Sequence, residues 1–437
     1  MCIPIGKRSS SIKICWGTSN LLGEELCTTI PSSNSSKFYC YYYDDGSDES
    51  TITITGEIED WSCRDGNTTY CNGYTPNDYF NGYLKKIESY GEVKFGNYAF
   101  YGTKLEGLPP DESPKFSNNS MKGAFANSNF NQDISHWDTS YITDMSEVFH
   151  DATSFNGSLR NWDTSNVKNM SKMFYNATSF NQPLSNWDTA NVTNMNSMFY
   201  NATSFNGYLN NWDTSNVTNM NSMFRGAQRF SQPLNNWNTT NVTSMSYMFE
   251  GAQRFNQPLY KWNTTNVKDM SYMFASAERF NQLINDWNTA NVTSMNCMFN
   301  KATNFNQPLE KWNTTKVKVM NSMFSGATNF NQPLDKWDTS NVTDMSEMFN
   351  NAVSFNRPLN SWNTTNVEDM SKMFYNAASF DQPLDKWDVS KNTALSIDLL
   401  FYESGMTRDN YCKLFKGAYK SRWEKFKKVL GKSFNCD

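Results

Sequence analysis

The sequence predicts an α/β repeat protein, a solenoid of short parallel strands and short helices between a small β-rich module and a helical cap. Three observations lead there. Tryptophan recurs every 25 residues from Trp137 to Trp387, without insertion or deletion. Each interval repeats the same apolar positions, as in Val167, Met170, Met173, Phe174, Ala177, Phe180 and Leu184. Aromatic residues reach 15% while apolar residues stop at 38%, below the roughly 45–50% of an ordinary globular domain. A length of 437 residues suggests about three domains at roughly 150 residues each. The strict period argues instead for stacked units, each with too little core to fold alone.

Residues 1–82 form the first region. They hold six of the nine cysteines, Cys2, Cys15, Cys27, Cys40, Cys63 and Cys71. Six cysteines in a short polar segment read as a disulfide framework in an oxidising compartment, with the pairing open. Zinc fits less well, because no C-x-x-C pair and no nearby histidine is present. A lipid on Cys2 lacks a lipoprotein signal before it. The stretch KFYCYYYDDGSDESTITITGEIEDW reads as two strands around an acidic turn.

Residues 83–399 form the solenoid. Met170, Met173, Phe174 and Ala177 stand at i, i+3, i+4 and i+7, the spacing of one helix face over about two turns. Leu184 to Trp187, after Pro183, reads as the short strand. Asp163 to Asn166 is a turn cluster of side chains that bond their own backbone. Large rings fill a thin core, and Met fills the gaps between them. A copper or haem role for the Met column is disfavoured, since every unit carries it. The residue after each Trp alternates between Asp and Asn, as in Asp213 and Asn238. That swap says the acceptor oxygen matters and the charge does not, which weakens a calcium ladder. The Asn column at Asn181, Asn256, Asn281, Asn306 and Asn331 suggests stacked amides bonding turn backbone. The N-x-T triplets, such as Asn191-Val192-Thr193, follow from the repeat and argue weakly for glycosylation. Met121 to Phe130 is a degenerate capping unit, one residue short between Phe125 and Phe130. At the far end Leu395 and Leu399 hold the apolar places.

Residues 400–437 form the cap. From about 406 to 431, Tyr411, Phe415, Tyr419, Trp423, Phe426 and Leu430 make one apolar stripe. Lys413, Lys416, Lys420, Arg422, Lys425, Lys427 and Lys428 cover the rest. A solvated face on a capping helix and peripheral docking to a membrane or partner both fit this pattern. Gly417 interrupts the stripe.

The pattern W-D-T-S-x-V-T-x-M-x-x-M-F-x-x-A-x-x-F-N resembles the mycoplasma-type surface-protein repeat of unknown function, which is grouped with BspA-like leucine-rich repeats. The lead-in GYLKKIESYGEVKFGNYAFYGTKLEGLP resembles a BspA-like unit, with Phe100 and Leu105 at its core positions. The resemblance covers residues from about 83 to 399. It implies a leucine-rich-repeat-like solenoid. It also implies adhesion or host contact, because relatives occur on bacterial surfaces and in protist and giant-virus proteomes. No functional residue is defined for that family, so none carries over. The opening MCIPIGKRSSSIKICWGTSN has no apolar secretory core. A cell-surface or virion placement is expected from the resemblance, and an intracellular one stays open.

Function is read by class. A formal charge of -5 provides no global basic field for nucleic acid. No run of 18 apolar residues occurs, so no transmembrane segment is expected. No catalytic triad, phosphate loop or metal cluster is visible, so no enzyme, cofactor or metal is expected. His136 and His150 sit at variable positions and are expected to be exposed. Binding is located by the variable positions. Arg229, Arg254 and Arg279 share one phase, Tyr247 and Tyr272 another, and Tyr175 and Tyr200 a third. Arg and Tyr are enriched in binding hot spots. These positions point to a protein or glycan ligand on the central repeats. The competing reading is a structural spacer or particle component with ordinary solvated side chains. Lys316 and Lys318 break one turn's Asn/Thr pattern without a reason in the sequence.

Overall fold

The computed structural model describes eight short strands before residue 71, residues 86–392 and residues 399–416. Chain packing separates two compact units, Met1–Val192 and Thr193–Asp437. In the first, strands β1 (Cys2–Ile5) and β4 (Lys37–Cys40) pair antiparallel. β2 (Ile12–Thr18) lies between β3 (Glu25–Ile30) and β5 (Thr53–Thr55). β7 (Arg64–Asp65) and β8 (Thr69–Tyr70) make a two-residue ladder. The strands expected on both sides of the acidic turn exist as β4 and β5, but they do not pair with each other. β5 pairs with β2 instead, with Ile54 opposite Ile14 in the register. The antiparallel registers set Cys2 opposite Cys40 and Cys15 opposite Cys27. Cys63 and Cys71 lie outside the described residues. A parallel sheet of β6 (Ile58–Trp61), β9 (Val93–Phe95) and β10 (Lys115–Phe116) then leads into the repeats.

The repeat is built differently from the strand-plus-helix expectation. Met170, Met173, Phe174 and Ala177 are all fully buried, as their spacing requires. They are carried on a run of turns, not on a helix. Lys172 and Asn176 have φ of 55° and 54°, a left-handed conformation that no α-helix contains. The phase of Lys172 stays left-handed along the second unit, where Ser197, Ser222, Tyr247, Tyr272, Cys297, Ser322, Glu347 and Lys372 have φ between 53° and 60°. The phase of Asn176 does so too, as in Asn201, Gly226, Gly251 and Ser276. The physical gain lies in where the backbone N–H groups point. Met198, Tyr200 and Ala202 donate to carbonyls three residues back. Met195, Ser197, Phe199 and Asn201 donate at 2.6–3.0 Å to the carbonyls of Asn219, Asn221, Met223 and Arg225 on the next repeat. A helix would have spent all of these donors within its own turn.

The expected strand at Leu184–Trp187 is also a turn, closed by Trp187 N donating to the Leu184 carbonyl at 3.2 Å. Both side chains are buried. Residues three apart fall on opposite faces of a strand, so a turn is what brings both inside. The parallel bridges lie elsewhere, at Asn194, Asn219, Ser244, Asp269, Ser294, Val319, Asp344 and Asp369.

Side chains reinforce this stacking. Trp237 Nε1 donates to the Leu209 carbonyl at 2.9 Å, and Trp262 Nε1 to that of Leu234 at 2.9 Å. Thr239 Oγ1 donates to the Asn263 carbonyl at 2.9 Å. The Asn column forms the expected ladder, with Asn281 N on Asn256 Oδ1 at 2.9 Å and Asn306 N on Asn281 Oδ1 at 3.0 Å. After each Trp, the Asp or Asn oxygen accepts the N–H two residues on, as in Asp213 and Asn238. Both residue types supply that acceptor, so the swap is neutral. Inside, Phe249 stacks on Phe255 at 4.0 Å within a repeat and on Phe274 at 5.6 Å across repeats. Such ring pairs add roughly 0.5–1.5 kcal/mol beyond burial.

The ends differ in register. Met121, Gly123, Phe125 and Asn127 pair with Asp144, Ser146, Val148 and His150, so the short unit at Met121–Phe130 loses its residue without losing its ladder. At the far end the apolar place belongs to Leu400, fully buried, rather than to half-buried Leu399. Phe374 N donates to the Leu400 carbonyl, and Phe401 stacks on Phe374 at 5.6 Å. Leu395 lies outside the described residues. Helix α1 (Arg408–Lys416) follows. Asp381 Oδ1 accepts from Thr407 N and Asn410 Nδ2, both at 2.9 Å, which docks the helix start. Tyr411, Cys412 and Leu414 are buried, and Cys412 is disulfide-bonded. Gly417 and the rest of the expected stripe and basic face, from Tyr419 to Leu430, lie outside the described residues. No described helix is long and apolar enough to cross a membrane.

Two substitutions test this architecture. Trp262→Phe keeps part of the ring system but removes one of the two donors on the Leu234 carbonyl, which retains Trp237 N at 3.1 Å. The lost hydrogen bond should cost about 0.5–1.5 kcal/mol, read by denaturant unfolding. Gly226 has φ of 70°, and an added Cβ would run into the Asn201 side chain. Gly251 has φ of 68° but meets only the Gly226 backbone, at 3.5 Å. Gly226→Ala should therefore lower the melting temperature more than Gly251→Ala.

Candidate functional site

The invariant positions of the repeat point inward, so chemistry that varies between repeats is confined to the outside. The run of turns presents two adjacent columns of such side chains. One contains Tyr247, Tyr272 and Cys297; the other contains Tyr200, Arg225 and Glu250. Within the second unit these columns are closely spaced. Tyr247 and Tyr272 stack at 4.6 Å and 10°, whereas Trp237 and Trp262 stand 6.5 Å apart at 1°. Neighbouring side chains on this face therefore touch.

Both tyrosines are half-buried, and each spends a ring face on the other. Arg225 occupies a further face: its guanidinium carbon lies 4.7 Å from the Tyr247 ring centre and 5.3 Å from that of Tyr200. This is cation–π geometry. The same guanidinium forks onto Glu250, Nε to Oε2 at 2.6 Å and Nη2 to Oε1 at 3.3 Å. Burial pushes the Glu250 carboxyl up, and Arg225 pulls it part of the way back. A hydrogen bond to Cys297 and burial push Tyr272 up to about 12. Burial pushes the Cys297 thiol up, while Tyr272 and Ser322 act the other way. Cys297 is a buried free thiol. A raised thiol is the opposite of the electropositive setting that activates a cysteine. The cluster is thus a pre-packed block of side chains in mutual contact.

Arg229, Arg254 and Arg279 stand on a different column and are exposed. Each precedes a fully buried phenylalanine, and those rings, Phe230, Phe255 and Phe280, are 6.0 and 6.1 Å apart. Backbone bonds from Arg254 N to Gln228 and from Arg279 N to Gln253, both 3.2 Å, hold the column in step. Among the described residues, no ion pair engages any of the three guanidinium groups. The structure therefore keeps the five residues picked from sequence in two places: a tyrosine pair facing itself and an arginine column facing solvent. Sequence reasoning missed Arg225 and Glu250. Their signal was present, since they follow Tyr175 and Tyr200 in the same 25-residue phase with opposite charges.

In the first unit the corresponding columns carry Glu147, Lys172, His150 and Tyr175. His136 is exposed, as expected. His150 is not: it is half-buried, stacked on Tyr175 at 4.6 Å and 2°, with Nδ1 2.9 Å from Asp151 Oδ2. The narrow spacing of this face, which presses neighbouring rings together, is the reason. Burial lowers the His150 pKa, against the opposing pull of Asp151 and Glu147. Lys316 finds a role as well. Where Asn341 and Asn291 bond a carbonyl of the preceding repeat, Lys316 Nζ reaches Asn291 Oδ1 at 2.7 Å. Nothing in the structure explains the Lys318 side chain. Among the described residues no group of three or more His, Cys, Asp or Glu could hold a metal ion.

The His150 environment makes stability depend on pH with a definite sign. A histidine whose folded pKa is lowered binds fewer protons when folded, so stability falls as pH drops from the ordinary value of about 6.5 toward the lowered one. Denaturant unfolding between these limits should show that loss in the native chain and a smaller one in His150→Asn.

The repeats match the family described as Mycoplasma protein of unknown function, DUF285, at residues 119–232, 207–312 and 298–411. These stretches cover more than half of the chain, which therefore belongs to that family. No curated protein matches the chain. No solved structure matches it either.

Proposed function

We propose that this member of the DUF285 family is a non-catalytic binding scaffold that recognises a protein or glycan through the arginine column of its second unit. One observation carries the reading. Arg229, Arg254 and Arg279 are exposed on three successive repeats and have no ion-pair partner among the described residues. Arginines are frequent anchors of interfaces, and this column is fixed in place by the buried phenylalanines beside it. The same proposal takes the stacked repeats of each unit as a leucine-rich-repeat-like solenoid, supported by the parallel bridges at a 25-residue step. It also places the protein on a cell surface or virion, in a role of adhesion or host contact. A structural spacer without a ligand is the alternative, and the self-satisfied Tyr247 cluster fits it.

The test is the full chain with Arg229→Ser, Arg254→Ser and Arg279→Ser together, screened for cell and glycan-array binding. The native chain should bind, and the triple variant should lose most of that binding while melting at the native temperature. Lys316→Asn, outside the column, should bind as the native chain does. Equal binding by the triple variant would remove the arginine column from the proposal. Absence of binding by the native chain would favour the spacer.

A further inference from the structure

We infer that the partner of the Arg229–Arg254–Arg279 column is a linear acidic polysaccharide, a chain carrying sulfate or carboxylate groups at regular intervals; this rests on the binding function proposed above. The first support is a contrast with four ion pairs of the second unit. Arg225 meets Glu250 on the next repeat, and Lys311 meets Asp286 at 2.7 Å. Lys336 lies 3.7 Å from Glu310, and Lys372 lies 3.9 Å from Glu347. Each of these pairs sets an acid one repeat away, at the same or an adjoining phase. The arginine column does the reverse and stacks three like charges on successive repeats. The other repeats from Trp137 to Trp362 carry Ser or Asn at this phase, as in Ser204, Asn304 and Asn329.

The second support is spacing. The buried rings next to the arginines advance by 6.0 and 6.1 Å. The three arginines thus leave the backbone beside rings spaced within one Debye length, about 8 Å at physiological salt, so like charges are anchored close together. A small anion can bridge only part of such a row. A polymer with anionic groups along its length can engage all three, with each planar fork taking a carboxylate or sulfate through two hydrogen bonds.

The third support is the flanking chemistry. Gln228 and Gln253 precede two of the arginines and are exposed, so amides stand beside the charges to meet hydroxyl groups. Glu278 precedes the third, and its carboxylate accepts from Gln253 Nε2 at 3.3 Å. A nucleic acid fits less well. Single-strand binding uses successive free aromatic faces for the bases; Tyr247 and Tyr272 stack on each other, and the exposed Tyr208 and Tyr260 stand two repeats apart along the chain.

The experiment measures binding of the full chain to four labelled probes across a salt series. They are a size-defined sulfated glycosaminoglycan, a polyuronate, neutral dextran and oligothymidylate. The native chain should bind one or both acidic polysaccharides. The logarithm of its affinity should fall with the logarithm of salt at a slope of about -2, as three neutralised charges would give at about -0.7 each on a single-stranded polymer. The triple Ser variant should lose this binding. Arg→Lys at all three positions should keep the salt slope but bind more weakly, because the charge stays and the fork is gone. Binding that survives in the triple Ser variant, equal binding to dextran or tighter binding to oligothymidylate would overturn the inference. Loss of cell or glycan-array binding in the triple Ser variant, with neither acidic polysaccharide bound by the native chain, would sink the polysaccharide and leave the binding function standing.

Discussion

Within each unit the structure depends on backbone N–H groups that the repeat cannot satisfy by itself. Left-handed residues at two phases turn alternate N–H groups along the stacking direction. There they find the carbonyls of the next repeat, as Phe224 N finds Met248 and Tyr247 N finds Ser271 at 2.9 Å. A buried donor without a partner costs roughly 1–3 kcal/mol, so a slip of one residue would strand several at once. The backbone itself penalises any departure from 25 residues. Tolerance appears only toward the ends, where the step to the next repeat shortens beside Met121 and lengthens beside Phe374.

The left-handed phases carry a cost of their own. Residues other than glycine in this region cost about 1–3 kcal/mol each, yet Ser, Tyr, Cys, Glu and Lys all occupy it. The ladder and the buried rings over-determine the conformation, and side-chain identity at these phases is thereby released from folding. This freedom is why chemistry gathers on these turns. Tyr247 and Tyr272 occupy such a phase and stack on each other. Arg225, Glu250 and the Arg229 column stand outside the left-handed phases; the first two pair with each other, and the column faces water.

The two outcomes imply different uses. A network that satisfies its own charges and ring faces has little left to offer a ligand, whatever its residue types. A row of like charges is a standing electrostatic cost that a polyanion relieves. Residue identity alone ranks Tyr247 and Arg229 together as hot-spot types. Contact geometry separates them.

Much was legible in the sequence because burial obeys the period directly. Every expected inward position, from Val167 to Leu184 in one unit, is buried, and the Asp/Asn swap announced an acceptor without a needed charge. The local conformation was not legible. Apolar residues at i, i+3, i+4 and i+7 satisfy a helix and a run of alternating left- and right-handed turns equally well, since both return those side chains to one side. Only the neighbouring repeat, which supplies carbonyls for the alternate N–H groups, decides between them. The same limit applied to Arg225 and Glu250. Their pairing depends on how closely adjacent repeats approach at that phase, and that distance belongs to the stacked structure rather than to any single repeat.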